Sequence, residues 1–158
     1  DDIFAQYFLF LPKEEYEDMA NAYAEQEKFH MREYGGKLYP HVRELLTELS
    51  KKYPLFIVSN CLSGYIENFL QQHQLEHLFT DYECSGNTGR PKAENVGMII
   101  NRNQLKNPVY IGDTTGDFEA ANKNDIPFIY AEYGFGEVEG HDYAASDFRQ
   151  IETILQVI

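Results

Sequence analysis

Two carboxylates, Asp113 and Asp117, stand close together in the sequence VYIGDTTGD of residues 109–117. Three apolar residues followed by glycine predict a buried strand that ends at Gly112 and places Asp113 at the edge of a sheet. Asp117 follows four residues later, where a helical pattern begins. Carboxylate oxygens at a strand end suit Mg²⁺, which prefers oxygen ligands and usually keeps several waters. The stretch therefore predicts a magnesium site, and its position at the carboxyl end of a strand indicates phosphate chemistry.

Other polar residues occur at positions that suit a site shared with the two acids. Ser59 and Asn60 directly follow the apolar run at residues 55–58, so a hydroxyl and turn amides there can bind a phosphate. Lys92 precedes a helical pattern and can neutralise a phosphate as a point charge, with Arg90 as a rival for that role. Ordinary interpretations are also open: Ser and Asn favour turns, single lysines are mostly solvated, and acids favour the first turn of a helix.

Alternating helix and strand patterns position these residues from Leu38 onward. Four short apolar runs predict strands at residues 55–58, 79–82, 109–111 and 126–130. The first run is typical of a strand covered on both faces, and Pro127 indicates a sheet edge or a strand start. Apolar residues spaced by three and four predict the helices between the strands: Val42, Leu45, Leu46 and Leu49; Ile66, Phe69 and Leu70; Val96, Ile99 and Ile100; Phe148, Ile151, Leu155 and Ile158. This alternation predicts an α/β fold with a parallel sheet.

The 158-residue chain has a formal net charge of −13, which opposes binding to nucleic acid or to an anionic membrane. A hydrophobic content of 43% fits one globular domain with a core, and no apolar run is long enough to span a bilayer. The N-terminal residues also lack the pattern of a signal peptide. Cys61 and Cys84 are too few for a disulfide framework, and the five histidines lack zinc-ligand spacing. A reducing cytoplasm is the expected compartment.

The first 36 residues differ in character from the rest. Residues 3–11 are strongly apolar and aromatic, and a proline ends this run. Residues 14–34 are predicted to form a charged helix that a glycine pair ends. Its apolar stripe consists of Tyr16, Met19, Ala20 and Tyr23. We therefore expect residues 1–36 to form a helical unit, followed by an α/β core at residues 37–158.

The order and spacing of Ser59, Lys92, Asp113 and Asp117 resemble motifs two, three and four of the haloacid dehalogenase-like hydrolases. The resemblance is strongest to the phosphoglycolate-phosphatase-like branch; it covers the α/β core well and the helical unit loosely. It implies a Rossmann-like three-layer core with a parallel sheet, preceded by the remnant of a helical cap. The sequence YGFG at residues 133–136 also resembles the loop after the last core strand of that branch, and we expect no catalytic role for it.

The resemblance implies phosphoryl transfer in two steps, with Mg²⁺ as cofactor and a small phosphorylated metabolite as substrate. An aspartate attacks phosphorus, water cleaves the aspartyl-phosphate, and a second aspartate two residues further on acts as general acid and base. The matching motifs imply phosphate binding by Ser59, Asn60 and Lys92, the last of which also offsets the charge on the transferring group. They imply Mg²⁺ binding by Asp113 and Asp117.

The nucleophile of that mechanism has no match in this sequence. The family's first motif is a strand that ends in D-x-D-x-T, whereas Asp1 and Asp2 precede an apolar run. In the family that strand lies between those ending at Ser59 and Gly112, so its loss would leave buried backbone groups unpaired, at about 1–3 kcal/mol each. Three explanations are open: upstream residues complete the native protein, a separate piece or second chain supplies the strand, or residues 3–11 fill the slot. The first is favoured, and the chain is expected to be inactive alone.

Other classes of protein fit parts of the pattern. A haloacid dehalogenase-like fold that has lost its nucleophile would bind a phosphorylated ligand or a partner protein without catalysis. A phosphorelay receiver also uses a parallel sheet, Mg²⁺ and an aspartyl-phosphate, but it requires acids near its first strand and a lysine after its last. Here the acids come late, and no lysine follows the run at residues 126–130 in the expected place. Dehalogenase and phosphonatase chemistry are alternatives on the same scaffold, and the paired acids favour the phosphatase.

Overall fold

The structure, a computed structural model, describes residues 12–158. The helices in this part of the chain are α1 (Lys13–Tyr34), α2 (Val42–Ser50), α3 (Tyr65–His73), α4 (Ser85–Thr88), α5 (Lys92–Arg102), α6 (Thr115–Asn122) and α7 (Gln150–Leu155). The strands are β1 (Leu55–Ser59), β2 (Phe79–Cys84), β3 (Tyr110–Gly112), β4 (Phe128–Ala131) and β5 (Tyr143–Ala145). From α2 onward helices and strands largely alternate, as the apolar periodicities predict.

The strands form two parallel ladders. β1 pairs with β2, in a register that ends with Ser59 opposite Cys84. β4 lies between β3 and β5, with Gly112 of β3 opposite Tyr130 of β4. Because the strands within each ladder are parallel, their carboxyl ends meet at the same edge. The residues that follow β1 and β3 are therefore the ones that can share a site.

Both faces of the β3–β4–β5 ladder are covered by side chains from helices and loops. Side chains alternate along a strand, so Phe128 and Ile129 of β4 point to opposite faces. Ile129 belongs to a cluster with residues of α2 and α7, whereas Phe128 packs with Ala121 of α6 and with Val138. Phe128 and Ile129 are almost fully buried, and each contributes roughly 1.5–3 kcal/mol through the hydrophobic effect. These layers confirm the predicted α/β class with parallel strands.

An interval separates β1 from β3 in the part of the chain that the structure describes. The two strands belong to different ladders, yet the Tyr110 hydroxyl of β3 lies 3.2 Å from the Val58 carbonyl oxygen of β1. The Tyr110 side chain therefore bridges two strands that are not paired with each other. A cavity of about 680 Å³ opens there, and its lining includes Leu55, Phe56 and Val109. The five residues of β1, predicted to be covered on both faces, are all half-buried.

Helix α1 packs against α3, and hydrogen bonds join the C-terminal ends of the two helices. Gly35 ends the helix with a left-handed φ of 67°, and its N–H donates to the Met31 carbonyl oxygen. A Cβ on Gly35 would lie 2.5 Å from Gln72 Cγ, so contact with α3 as well as backbone conformation requires glycine. Gln72 Nε2 donates to the Glu33 carbonyl oxygen at 2.9 Å, and His73 Nε2 lies 2.6 Å from that of Gly35. The predicted charged helix is thus present and is joined to α3.

Some details of the sequence interpretation differ from the structure. Tyr23 of the predicted stripe on α1 is 55% exposed. Pro127 precedes the start of β4, and β4 is central in its ladder, so the sheet-edge alternative is wrong. The last helix ends at Leu155, before the end of the predicted stripe. The sequence interpretation also lacks β5 and α4.

The run at residues 3–11 and the side chain of Tyr16 lie outside what the structure describes. Among the helices of residues 12–158, none has both the length and the apolarity to cross a bilayer.

Candidate active site

The predicted site residues lie where β1 and β3 end. Ser59 is the last residue of β1, Asp113 follows the last residue of β3, and Lys92 begins α5. The Tyr110 hydroxyl is 3.2 Å from the carbonyl oxygen that precedes Ser59 and also 3.2 Å from Asp117 Oδ1. The end of β1 is therefore beside the turn that carries the two acids.

Lys92 and Asp117 form a buried ion pair. Lys92 Nζ lies 2.6 Å from Asp117 Oδ1, and the two side chains are 16% and 7% exposed. Lys92 starts its helix directly after Pro91, whose φ of −66° suits a helix entry. Arg90, the rival cation, instead pairs with Glu94 at 3.5 Å, and its side chain is 56% exposed. The structure therefore brings Lys92, and not Arg90, to the acids.

The Asp117 carboxylate accepts five hydrogen bonds and donates none. Oδ1 accepts from the Lys92 ammonium and from the Tyr110 hydroxyl. Oδ2 accepts from the Asp113 N–H at 3.2 Å, the Thr114 N–H at 3.0 Å and the Thr114 hydroxyl at 2.7 Å. Thr114 Oγ1 accepts in turn from the Asp117 N–H, which completes a capping box at the start of α6. The turn between the two acids is thus held as one unit.

Burial and charge act in opposite directions on Asp117. Burial alone would raise the pKa of its carboxyl, but hydrogen bonds from Lys92 and Thr114 outweigh burial and hold the pKa below its ordinary value. Burial, reinforced by the Asp117 charge, raises the pKa of Tyr110 far above its ordinary value. Asp117 is therefore ionised at neutral pH, and Tyr110 is a neutral phenol that keeps its proton for donation.

The neighbours of Asp113 on both sides, Gly112 and the loop after β4, leave little free space around the two acids. A Cβ on Gly112 would lie 2.4 Å from Asp117 Cβ, so the glycine between strand and acid is required by space. Asp113 Oδ2 accepts a hydrogen bond from the Phe135 N–H at 2.8 Å. Burial, with a smaller effect of the Asp113 charge, raises the pKa of Tyr133 to about 12. The loop that follows β4 therefore lies close to the Asp113 carboxylate.

The loop after β1 is fastened to the end of β2. Ser59 Oγ accepts the Cys61 N–H at 3.2 Å. Asn60 Oδ1 accepts from the Ser85 hydroxyl at 3.1 Å, and the Gly86 N–H donates to the Cys61 carbonyl oxygen at 3.0 Å. Ser59 and Asn60 thus occupy an ordered turn at a strand end, where a hydroxyl and backbone amides can bind an anion.

Oxygen ligands for a metal are few in the described part of the chain. Among residues 12–158, no group of three or more His, Cys, Asp or Glu side chains is arranged to hold an ion. Asp117 is committed to protein donors, whereas Asp113 uses only Oδ2. Protein sites for Mg²⁺ often supply one or two carboxylates, and water and substrate phosphate complete the shell. The residues present therefore fit part of a magnesium site.

Sequence reasoning missed Thr114 and Tyr110. Thr114 carries a recognisable signal, since a threonine three residues before an acid at a helix start is the pattern of a capping box. Tyr110 has no such signal, because its role depends on β1 lying within reach of its hydroxyl. The contribution of Phe135 is a backbone N–H, which its residue type does not reveal.

The fold and the site define an α/β protein with acids and a lysine at the carboxyl edge of parallel strands. The family model described as haloacid dehalogenase-like hydrolase matches residues 2–131. The chain belongs to the haloacid dehalogenase-like hydrolase family, which confirms the resemblance drawn from motif order.

Similar proteins of known sequence include phosphoglycolate phosphatases. The chain is 28% identical over 131 residues to that of Aliivibrio fischeri, a match that covers 76% of this chain and 57% of the relative. It is 29% identical over 129 residues to that of Vibrio cholerae, covering 77% and 57%. The chain therefore spans little more than half the length of the curated relatives that it matches.

Solved structures show the same fold. A haloacid dehalogenase-like family protein from Streptococcus pneumoniae aligns with a TM-score of 0.85 at 24% identity, over 97% of this chain and 76% of that one. A haloacid dehalogenase-type hydrolase from Bacillus subtilis, described as bound to magnesium, aligns with a TM-score of 0.71 at 19% identity, over 82% and 59%. At these identities the alignments establish the fold alone.

Proposed function

We propose that the native protein is a Mg²⁺-dependent phosphatase that hydrolyses a small phosphorylated metabolite. The observation that carries the proposal is the ion pair of Lys92 with Asp117, which joins a lysine to the acid turn at the carboxyl edge of the strands. Phosphoryl transfer depends mainly on positioning and on charge stabilisation, and this edge offers groups for both. The matches to proteins named phosphoglycolate phosphatase support the phosphatase class.

Each site residue has a role in this proposal. Ser59 and Asn60 bind phosphate oxygens through the hydroxyl and the turn amides. Lys92 offsets the charge of the transferring group, and Asp117 holds the ammonium in place. Asp113 is the direct carboxylate ligand of Mg²⁺, and Asp117 supports the site through its bond to the Asp113 N–H. When bound, Mg²⁺ supplies electrostatic stabilisation of the phosphoryl oxygens.

The attacking group in this proposal comes from residues upstream of Asp1. The proposal is supported by the separation of β1 and β3 into two ladders, which leaves their facing edges unpaired within residues 12–158. A strand inserted between them would replace the Tyr110 hydroxyl as the partner of Val58 and would end between Ser59 and Asp113. Its terminal aspartate attacks phosphorus while the bond to the leaving oxygen breaks, and a second upstream aspartate protonates that oxygen. Water then attacks phosphorus in the aspartyl-phosphate and releases inorganic phosphate.

The proposal also assigns the two parts of the chain and their surroundings. Residues 1–36 are assigned to the remnant of a helical cap, and residues 37–158 to the α/β core. The charge of −13 supports a small metabolite rather than nucleic acid or a membrane as partner. The free thiols of Cys61 and Cys84 suit a reducing cytoplasm.

Hydrolysis of p-nitrophenyl phosphate with Mg²⁺ tests the proposal in the chain of residues 1–158 and in a form extended upstream. We expect turnover only in the extended form. In that form, Lys92→Met lowers kcat/KM by about 100-fold or more, because a buried cation that stabilises transition-state charge is lost. The exposed Lys123 provides the matched control, and Lys123→Met leaves kcat/KM unchanged.

Two results would count against parts of the proposal. Turnover by the bare chain that Asp113→Asn abolishes would show that no upstream nucleophile is needed. An extended form that binds inorganic phosphate but hydrolyses no phosphomonoester would favour the second candidate, a haloacid dehalogenase-like protein that binds a phosphorylated ligand or a partner without catalysis. The observation that favours this candidate is that no D-x-D-x-T follows an apolar run within residues 1–158.

A further inference from the structure

The loop of residues 134–136, Gly-Phe-Gly, lies directly against Asp113. The Phe135 N–H donates to Asp113 Oδ2 at 2.8 Å. The Phe135 residue is 93% exposed, so it meets the site through its backbone and not through its ring. The roles proposed above leave this loop without a function.

Both glycines of the loop are required by space. A Cβ on Gly134 would lie 2.2 Å from Asp113 Cβ and 2.4 Å from its Oδ2, and a Cβ on Gly136 would lie 2.5 Å from the Asp113 carbonyl oxygen. Neither glycine has a positive φ, so backbone conformation does not explain them. Any larger residue has to displace the aspartate or the loop. Because Gly134 and Gly136 have no side chains, the loop can contact Asp113 from two sides.

The loop is itself anchored to β4. The Gly134 N–H donates to the Ala131 carbonyl oxygen at 2.9 Å. The Tyr130 hydroxyl donates to the Gly136 carbonyl oxygen at 2.7 Å. Both partners belong to β4, so the position of the loop is set by the sheet and not by the exposed ring at its tip.

These contacts hold one of the two oxygens of the Asp113 carboxylate in place. The Asp113 N–H donates to Asp117 Oδ2, and Asp113 Oδ2 accepts from Phe135. Within residues 12–158 no hydrogen-bond donor reaches Asp113 Oδ1. The carboxylate is therefore held by one oxygen, and the other is left for an external ligand.

We propose that the loop of residues 134–136 is a positioning element for Asp113, which fixes one carboxylate oxygen so that the other is presented to the cation. This rests on the proposed function, in which Asp113 is the direct Mg²⁺ ligand. Groups that orient a metal ligand typically change metal affinity by about 10–100-fold when they are altered. A ligand oriented in advance also loses less conformational freedom when the ion binds.

Amide hydrogen exchange tests the contact without any metal, in the chain of residues 1–158. In Asp113→Ala the Phe135 amide loses its acceptor and exchanges about 10–100-fold faster, the range expected for a bond to a charged group. Asp113→Asn keeps an acceptor oxygen and restores most of the protection. The control is the Glu132 amide, which donates to the Ala145 carbonyl oxygen and exchanges at the same rate in all variants. An unchanged Phe135 rate in Asp113→Ala would overturn the proposal.

Mn²⁺ titration, followed by water proton relaxation, tests the consequence in the full-length protein. Gly134→Ala weakens Mn²⁺ binding by about 10–100-fold, because its Cβ displaces the carboxylate. Gly116→Ala is the matched control: its Cβ would have Thr114 Oγ1 as nearest atom at 3.8 Å, so binding is unchanged. If Gly134→Ala does not fold, Gly136→Ala takes its place, and the exchange experiment decides independently.

The outcomes separate this inference from the proposed function. Equal Mn²⁺ affinity in the wild type and a folded Gly134→Ala would refute the positioning role while leaving the phosphatase proposal intact. Equal affinity in the wild type and Asp113→Asn would instead refute the metal assignment of the proposed function, and the exchange result would then stand as evidence for the loop contact alone.

Discussion

Replacing Asp117 by asparagine removes one of the two acceptor oxygens at the centre of the site and puts an NH₂ donor in its place. Asparagine offers one oxygen and one NH₂ group where the carboxylate has two oxygens. With its oxygen toward Lys92, the NH₂ group faces the N–H groups of Asp113 and Thr114; turned around, it faces the ammonium. Each arrangement leaves buried donors without an acceptor, because all five partners of the carboxylate are donors.

The size of the effect follows from the burial of the pair. Breaking a buried ion pair by removing one partner costs about 3–5 kcal/mol. Because Lys92 keeps 16% exposure and can recruit water, we expect the lower end, a loss of about 3 kcal/mol. This is a large part of the roughly 5–15 kcal/mol by which a domain is stable. It corresponds to a fall in Tm of about 6–12 °C for a chain of this size.

Urea unfolding of the chain of residues 1–158 at pH 7, with EDTA present, measures this loss directly. The chain has no tryptophan, so far-ultraviolet circular dichroism is the suitable signal. The matched control is Asp142→Asn, since the exposed Asp142 accepts from the Phe128 N–H at 2.8 Å and asparagine keeps an oxygen for that bond. We expect the control to change the free energy of unfolding by less than about 0.5 kcal/mol. If Asp117→Asn also loses less than about 1 kcal/mol, the donors around Asp117 are satisfied by water and the reasoning is refuted.

Two further predictions concern the elements that hold the site. Arg102 bonds both Asp81 and Glu83 and, against the effect of burial, holds the pKa of each carboxyl below its ordinary value. This stabilisation is present above the ordinary carboxyl pKa values of about 4 and is lost as the pH falls through the lowered values. In urea unfolding, Arg102→Met therefore costs about 1–2 kcal/mol at pH 7, discounted for partial exposure, and progressively less below pH 4. Gly86→Ala places a Cβ 2.2 Å from a backbone nitrogen of the loop after β1 and lowers stability by about 1–3 kcal/mol in thermal unfolding, whereas Gly116→Ala does not.

The ends of the strands were predictable because local signals agreed there. An apolar run followed by a glycine and an acid predicts a strand that stops at Gly112, and the structure ends β3 at that residue. Lys92 was predictable as a residue at a helix start, because Pro91 fixes the entry of α5. The family resemblance, and not the residue pattern, implied a strand between β1 and β3, and in the described residues these two strands lie in separate ladders.

The remaining features depend on contacts between distant residues. β5 has three residues, too short for a period to be recognised, and it is defined by its pairing with β4. The bridge from Tyr110 to Val58 requires two strands from separate parts of the chain to come within one side-chain length. The contact of Phe135 with Asp113 uses a backbone N–H, which any residue except proline could supply.

Helix α5 connects the two ladders through ion pairs at both of its ends. Its first residue, Lys92, is paired with the acid turn after β3, and its last residue, Arg102, is paired with two acids of β2. Eleven residues make it about 16 Å long. Because a helix is stiff over this length, we expect a shift of β2 to displace the whole helix, and the Lys92 ammonium with it, along the helix axis. We therefore expect substitutions of Arg102 to alter the position of Lys92, although the two residues are not in contact.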